Sequence, residues 1–139
     1  MLTTNISFKL EFSESNGVMS VSINGTNVTP ESGGNVVFLQ EVILPSQIEI
    51  LLTGKSPDDT ILDEKGNILT DKYVKLSNMS IGNVPINKRL LFNICEFTPD
   101  GELESIKDTF YAFNGKVLIN INEDDFIKWH LKQDNKFTL

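Results

Sequence analysis

A chain of 139 residues with 19 acidic against 12 basic side chains, a net charge of −7 and a pI of about 4.6 is poorly suited to grip a phosphate backbone. No apolar run approaches the roughly 20 residues that span a membrane, so neither nucleic acid nor membrane is an expected partner. A hydrophobic fraction of 40% with nine Phe excludes a disordered chain, and the lone Cys95 excludes an internal disulfide and reads as a small core residue.

Ile6, Phe8, Leu10 and Phe12 alternate with Ser7, Lys9 and Glu11, which predicts a strand with one buried face. Met19, Val21 and Ile23 repeat the pattern. Asn-Gly pairs at 16–17, 24–25 and 114–115 punctuate such runs. A type I′ hairpin needs positive φ at two successive residues, and Asn-Gly supplies it at low steric cost. Pro99-Asp100-Gly101 is a fourth turn signal. Segments 36–39 and 42–44 are apolar almost throughout and read as covered on both faces, until Pro45 breaks the run. Ile48, Ile50 and Leu52 alternate again. Ile61-Leu62 and Ile68-Leu69 flank 63–67 as a small hairpin. Segments 73–76 and 79–81 read as one strand or a bulged pair, 90–97 as a central strand, and 110–113 as pairing with 117–121 across Asn114-Gly115. Beyond it, Asn122 would cap a helix, or Ile127, Trp129 and Leu131 alternate as a strand, and the strand is favoured. The sum is one all-β domain, 1–139. It is an antiparallel β-sandwich of jelly-roll, immunoglobulin-like or carbohydrate-binding-module-like type.

Catalytic constellations are missing from the sequence. His130 is the lone histidine, no Gly-x-Ser-x-Gly elbow surrounds a serine, and there is neither a Cys-x-x-Cys nor a glycine-rich phosphate loop. A non-enzyme is expected, with no resident cofactor unless it is calcium. Asp58, Asp59, Asp63, Glu64 and Asp71 cluster in an irregular stretch, and loop carboxylates with backbone carbonyls suit that hard cation. Asp58, Asp59 and Asp71 are the candidate calcium ligands. Ordinary turn chemistry is the alternative: Asp58 follows Pro57, Asp63 opens the hairpin loop, and Lys55, Lys65 and Lys72 are near enough to screen the acids. Sugar binding needs exposed aromatic faces with polar neighbours. Tyr73, Tyr111 and Trp129 are the candidate platforms, with Asn114 and Asp71 beside them, unless all three rings fill the core.

The stretch Ile48-Glu49-Ile50-Leu51-Leu52-Thr53-Gly54-Lys55-Ser56-Pro57-Asp58-Asp59, followed by Asp71-Lys72-Tyr73-Val74-Lys75-Leu76, resembles the calcium-dependent xylan-binding carbohydrate modules. In those, a strand ends in an acidic loop and an Asp precedes a second strand beside it. The chain departs from that pattern in the inserted hairpin at 61–69 and in lacking a second aromatic in the loop. A wider resemblance, from Ile48 onward, is to small β-sandwich proteins of tailed bacteriophages, particularly those infecting cyanobacteria. It rests on Thr53-Gly54-Lys55, Asp71-Lys72-Tyr73-Val74, Phe113-Asn114-Gly115 and Phe126-Ile127-Lys128-Trp129. This second resemblance implies a virion component, a capsid decoration or tail or fibre accessory protein. It would meet other virion proteins as a homo-oligomer or symmetric assembly, with a cell-surface glycan as a further partner. The start, Met1-Leu2-Thr3-Thr4-Asn5, has no signal-peptide pattern, which fits synthesis in a host cytoplasm and incorporation into a virion. The leading expectation is therefore a non-enzymatic structural component of a phage particle. The alternative is a calcium-dependent carbohydrate-binding module.

Overall fold

The alternation at the chain start becomes β1 (Leu2–Phe12), whose inward Ile6, Phe8, Leu10 and Phe12 are all buried. The structure is a computed structural model and describes residues 2–13, 18–28 and 33–122. Along the chain follow β2 (Ser20–Ile23), β3 (Thr26–Val28), β4 (Asn35–Leu44) and β5 (Ser46–Thr53). The short β6 (Ile61–Leu62) and β7 (Ile68–Thr70) form their own hairpin before β8 (Val74–Ile81) and β9 (Val84–Pro85). One helix, α1 (Lys88–Ile94), precedes β10 (Cys95–Pro99), β11 (Ile106–Lys107), β12 (Phe110–Tyr111) and β13 (Gly115–Ile121).

Two antiparallel sheets share one core, which is the expected β-sandwich. The first runs β12-β8-β1-β4 with β9 beside β8, and the second runs β11-β10-β13-β5-β2-β3. Burial alternates residue by residue along β5 and β13, so Ile48, Ile50, Val117 and Ile119 of the second sheet pack into the same cluster as Phe8 and Leu10 of the first. Cys95 lies in that cluster, and burial pushes its thiol up to about 12. Asn24 (φ 50°) and Gly25 (φ 82°) make the expected turn between β2 and β3. Gly82 (φ 60°) and Asn83 (φ 65°) make a second one between β8 and β9. Asn16-Gly17 and the helix-or-strand question over 123–131 lie outside the described residues.

Three expectations fail for identifiable reasons. Asn114-Gly115 is not a hairpin turn: β12 pairs with β8 while β13 pairs with β5 and β10, so residues 112–114 carry the chain from one sheet to the other. Gly115 is required for space instead, because a Cβ there would lie 2.5 Å from the Thr98 carbonyl oxygen and 2.7 Å from Phe97 Cε1. Segment 90–97 is not one strand. Leu90, Leu91 and Ile94 pack on the core at helical spacing, and the Asn87 side chain caps α1 by accepting from the Leu90 N–H at 2.9 Å. Nor is β4 covered on both faces. It is an edge strand, and Val37, Leu39 and Ile43 on its outer face are 69%, 71% and 54% exposed.

Gly115→Ala is expected to destabilise the protein by about 1–3 kcal/mol, since the clashing atoms include backbone that cannot rotate away. Urea denaturation of the variant against the parent chain measures it.

Candidate functional site

Beyond β5 the chain enters the acidic stretch, where short-range hydrogen bonds dictate its course. The Ser56 N–H donates to Asp59 Oδ2 (2.7 Å) across a 3-10 turn at Pro57–Asp59. Asp63 Oδ1 accepts from the N–H groups of Lys65 and Asn67 (2.9 Å each), closing the loop between β6 and β7. These contacts hold the Asp59 and Asp63 carboxyls below their ordinary values, led by the Ser56 and Asn67 backbone donors respectively.

Lys55 ties this stretch to the crossover at 112–114. Its N–H donates to Asn114 Oδ1 (3.0 Å), and its carbonyl accepts from Asn114 Nδ2 (2.8 Å). Its ammonium donates to the Ala112 carbonyl, lies 2.6 Å from Asp71 Oδ1, and sits 5.3 Å from the centroid of the Phe113 ring. Asp71 Oδ1 also accepts from Thr60 Oγ1 (2.8 Å) and the Lys72 N–H (2.9 Å). Burial disfavours the Asp71 carboxylate, but Lys55 and Thr60 outweigh it and keep the group below its ordinary value. Lys72 in turn reaches Asp59 Oδ2 at 3.3 Å and the Gly54 carbonyl at 3.4 Å.

Beside this network lies a cleft of about 820 Å³, a size typical of small-ligand sites. Tyr73 stacks on Phe110 at 4.9 Å and 27°, and Phe113, 64% exposed, lines the same cleft. Ile68 and Leu69 of β7 supply an apolar wall, while Glu11, Asn35 and Asp71 supply oxygen acceptors. The arrangement offers flat apolar surface next to hydrogen-bond acceptors.

Of the residues expected from sequence, the structure brings Tyr73 and Asp71 together here. Tyr111 does not join them. It is 0% exposed, its ring packs 5.1 Å from Phe97, and its hydroxyl donates to the Asp108 carbonyl (2.8 Å), so it fills the core. Trp129 lies outside the described residues. The Asn114 amide is spent on the Lys55 backbone rather than facing a ligand. Phe110 and Phe113 were missed, although strand parity held a signal: with Tyr111 inward, its neighbour Phe110 must point outward. Asp58, Asp59 and Asp71 are not assembled as metal ligands, and no three Asp, Glu, His or Cys side chains converge among the described residues.

No known family and no curated protein matches the sequence. Among solved structures, the chain is similar to the selenomethionine form of vCBM60. That protein was reported with a circular permutation linking two families of calcium-dependent carbohydrate binding modules. The likeness has 14% identity and a TM-score of 0.50, over 84% of this chain and 90% of that one. vCBM60 in complex with galactobiose also aligns, at 13% identity and a TM-score of 0.44, over 84% and 99% of the two chains. The first likeness shows the fold, a β-sandwich of the carbohydrate-binding-module kind. Neither likeness is to a virion protein, so the phage resemblance gains no support.

As placed, Asp58, Asp59 and Asp71 do not offer a calcium ion a set of free carboxylates. Asp71 Oδ1 is taken by Lys55, Thr60 and Lys72, Asp59 Oδ2 by Ser56 and Lys72, and Asp58 stands exposed on its turn. Because the Asp71 carboxyl is held low, its contribution to stability is present above its unfolded value and lost as acid protonates it in the folded state. Asp71→Asn is therefore expected to cost about 1.5–3 kcal/mol near neutrality, with the gap to the parent chain closing below about pH 4. Unfolding free energies measured across that range check it.

Proposed function

We propose that this protein binds a neutral glycan in the cleft lined by Tyr73, Phe110 and Phe113, and does so without cleaving it. The observation that carries this is the stacked Tyr73–Phe110 pair opening onto the same cleft as Phe113, Asp71 and Glu11. A pyranose ring presents an apolar C–H face, which lies well on an aromatic ring, and a rim of hydroxyls, which donate to carboxylate and amide oxygens. Carboxylates in the lining and a net charge of −7 repel acidic polysaccharides, so the sugar is uncharged. The β-sandwich shared with carbohydrate binding modules supports the same reading.

The state of Asp71 supports binding without hydrolysis. A glycosidase needs one carboxyl kept protonated to act as the acid. Asp71 is held ionised by Lys55 and Thr60, the opposite of what that role asks. In this reading residues 1–139 act as a single non-catalytic unit. A purely structural virion subunit explains neither the aromatic pair nor its polar surround, and the comparisons lend it nothing.

Isothermal titration against neutral xylo-, gluco- and galacto-oligosaccharides tests this. At least one class is expected to bind, with Phe110→Ala and Phe113→Ala each weakening it about 10-fold and Tyr111→Phe leaving it unchanged. Binding by none of these sugars, or binding indifferent to both alanine substitutions, would refute the assignment.

A further inference from the structure

We infer that the ammonium of Lys55 stands in for a metal ion in this sandwich, so that the loops around the cleft are ordered without calcium. A loop-bound cation gathers hard oxygens from segments distant in sequence and neutralises the carboxylates among them. Lys55 does both. Its nitrogen meets Asp71 Oδ1 at 2.6 Å and the Ala112 carbonyl, oxygens from two separate segments, while the lysine itself belongs to a third. The Phe113 ring closes another side at 5.3 Å, where its electron-rich face attracts the positive charge.

Burial makes this more than a surface pair. The side chains of Lys55 and Asp71 are only 10% and 16% exposed. The Lys55 backbone is pinned at both its N–H and its carbonyl by Asn114, which fixes where its side chain starts. A divalent ion approaching Asp71 Oδ1 would have to expel that ammonium or sit against its charge in a poorly solvated site. Lys72 repeats the arrangement nearby, bridging Asp59 Oδ2 (3.3 Å) and the Gly54 carbonyl (3.4 Å). Two of the three carboxylates that a calcium site would draw on are therefore neutralised from within.

As far as it concerns the cleft, this inference rests on the glycan-binding reading, since Asp71, Ala112 and Phe113 line the cleft. Thermal melting of the unmodified protein tests it apart from any sugar. The melting temperature after EDTA treatment is expected to stay within about 1 °C on adding calcium to about 5 mM, and a rise of several degrees would overturn the inference. In a double-mutant cycle, Lys55→Gln and Asp71→Asn should each lower the melting temperature, and the double variant should melt no lower than the worse single one. Fully additive losses would count against it. Glycan affinity should agree within about twofold between EDTA and calcium buffers, whereas a loss of about 10-fold in EDTA would contradict a metal-free cleft. Absence of sugar binding in both buffers would remove the proposed function, and the two melting experiments would still decide the role of Lys55.

Discussion

The Asn114 side chain grips the backbone of Lys55 from both sides, accepting from its N–H and donating to its carbonyl, and the cleft is assembled on that grip. Both partners lie where strands have ended and backbone groups would otherwise lack ladder partners, so the amide replaces the missing ladder with side-chain hydrogen bonds. Lys55 follows the end of β5 in one sheet, and its ammonium meets Asp71, just ahead of β8 in the other. A single residue thus ties both layers of the sandwich at one end. Tyr73 follows Asp71 by two residues and Phe113 precedes Asn114 by one, so the same cross-link that joins the layers also sets the spacing of the aromatic surfaces.

Much of the hydrogen-bonding capacity of the acids in this region is taken up by the protein itself. Asp63 closes its own loop, Asp59 serves the 3-10 turn and Lys72, and Asp71 collects a lysine, a threonine and a backbone donor. Acidic residues concentrated between two strands invite the thought of an ion. Here most of them shape the chain, and one of them faces the cleft. What remains available to a guest molecule is apolar aromatic surface with acceptor oxygens beside it, and that combination favours hydroxyl donors over anions.

Alternation was legible wherever a strand has one face on the core, as in β1, β5 and β13. It misled where the answer depended on place in the sheet or on a competing period. Nothing local reveals that β4 is an edge strand. In 90–97 the same leucines and isoleucines satisfy helical spacing, and the Asn87 cap tips the balance. Asn24-Gly25 was readable because its chemistry is purely conformational. Asn114-Gly115 looks identical in sequence, yet its asparagine is wanted for its amide and its glycine for its lack of a Cβ. At the site, Asp71 and Tyr73 were legible because they stand beside a strand, and the lysines were recognisable as neutralising partners. Which lysine meets which acid depends on a crossover between sheets that sequence distance does not encode. In the Phe110–Tyr111 pair, Tyr111 stands out in sequence as out of phase with the apolar alternation, yet in the fold it is the inward ring and satisfies its hydroxyl internally.

Cys95 carries a practical consequence. The sole sulfhydryl of the chain is sealed in the core and stays protonated far beyond neutral pH. Maleimides, iodoacetamides and peroxide react with the thiolate, so the native protein presents them with a silent background. A cysteine engineered at the rim of the cleft would then be the only one to react, which allows a dye, spin label or resin to be attached there without first deleting the natural residue.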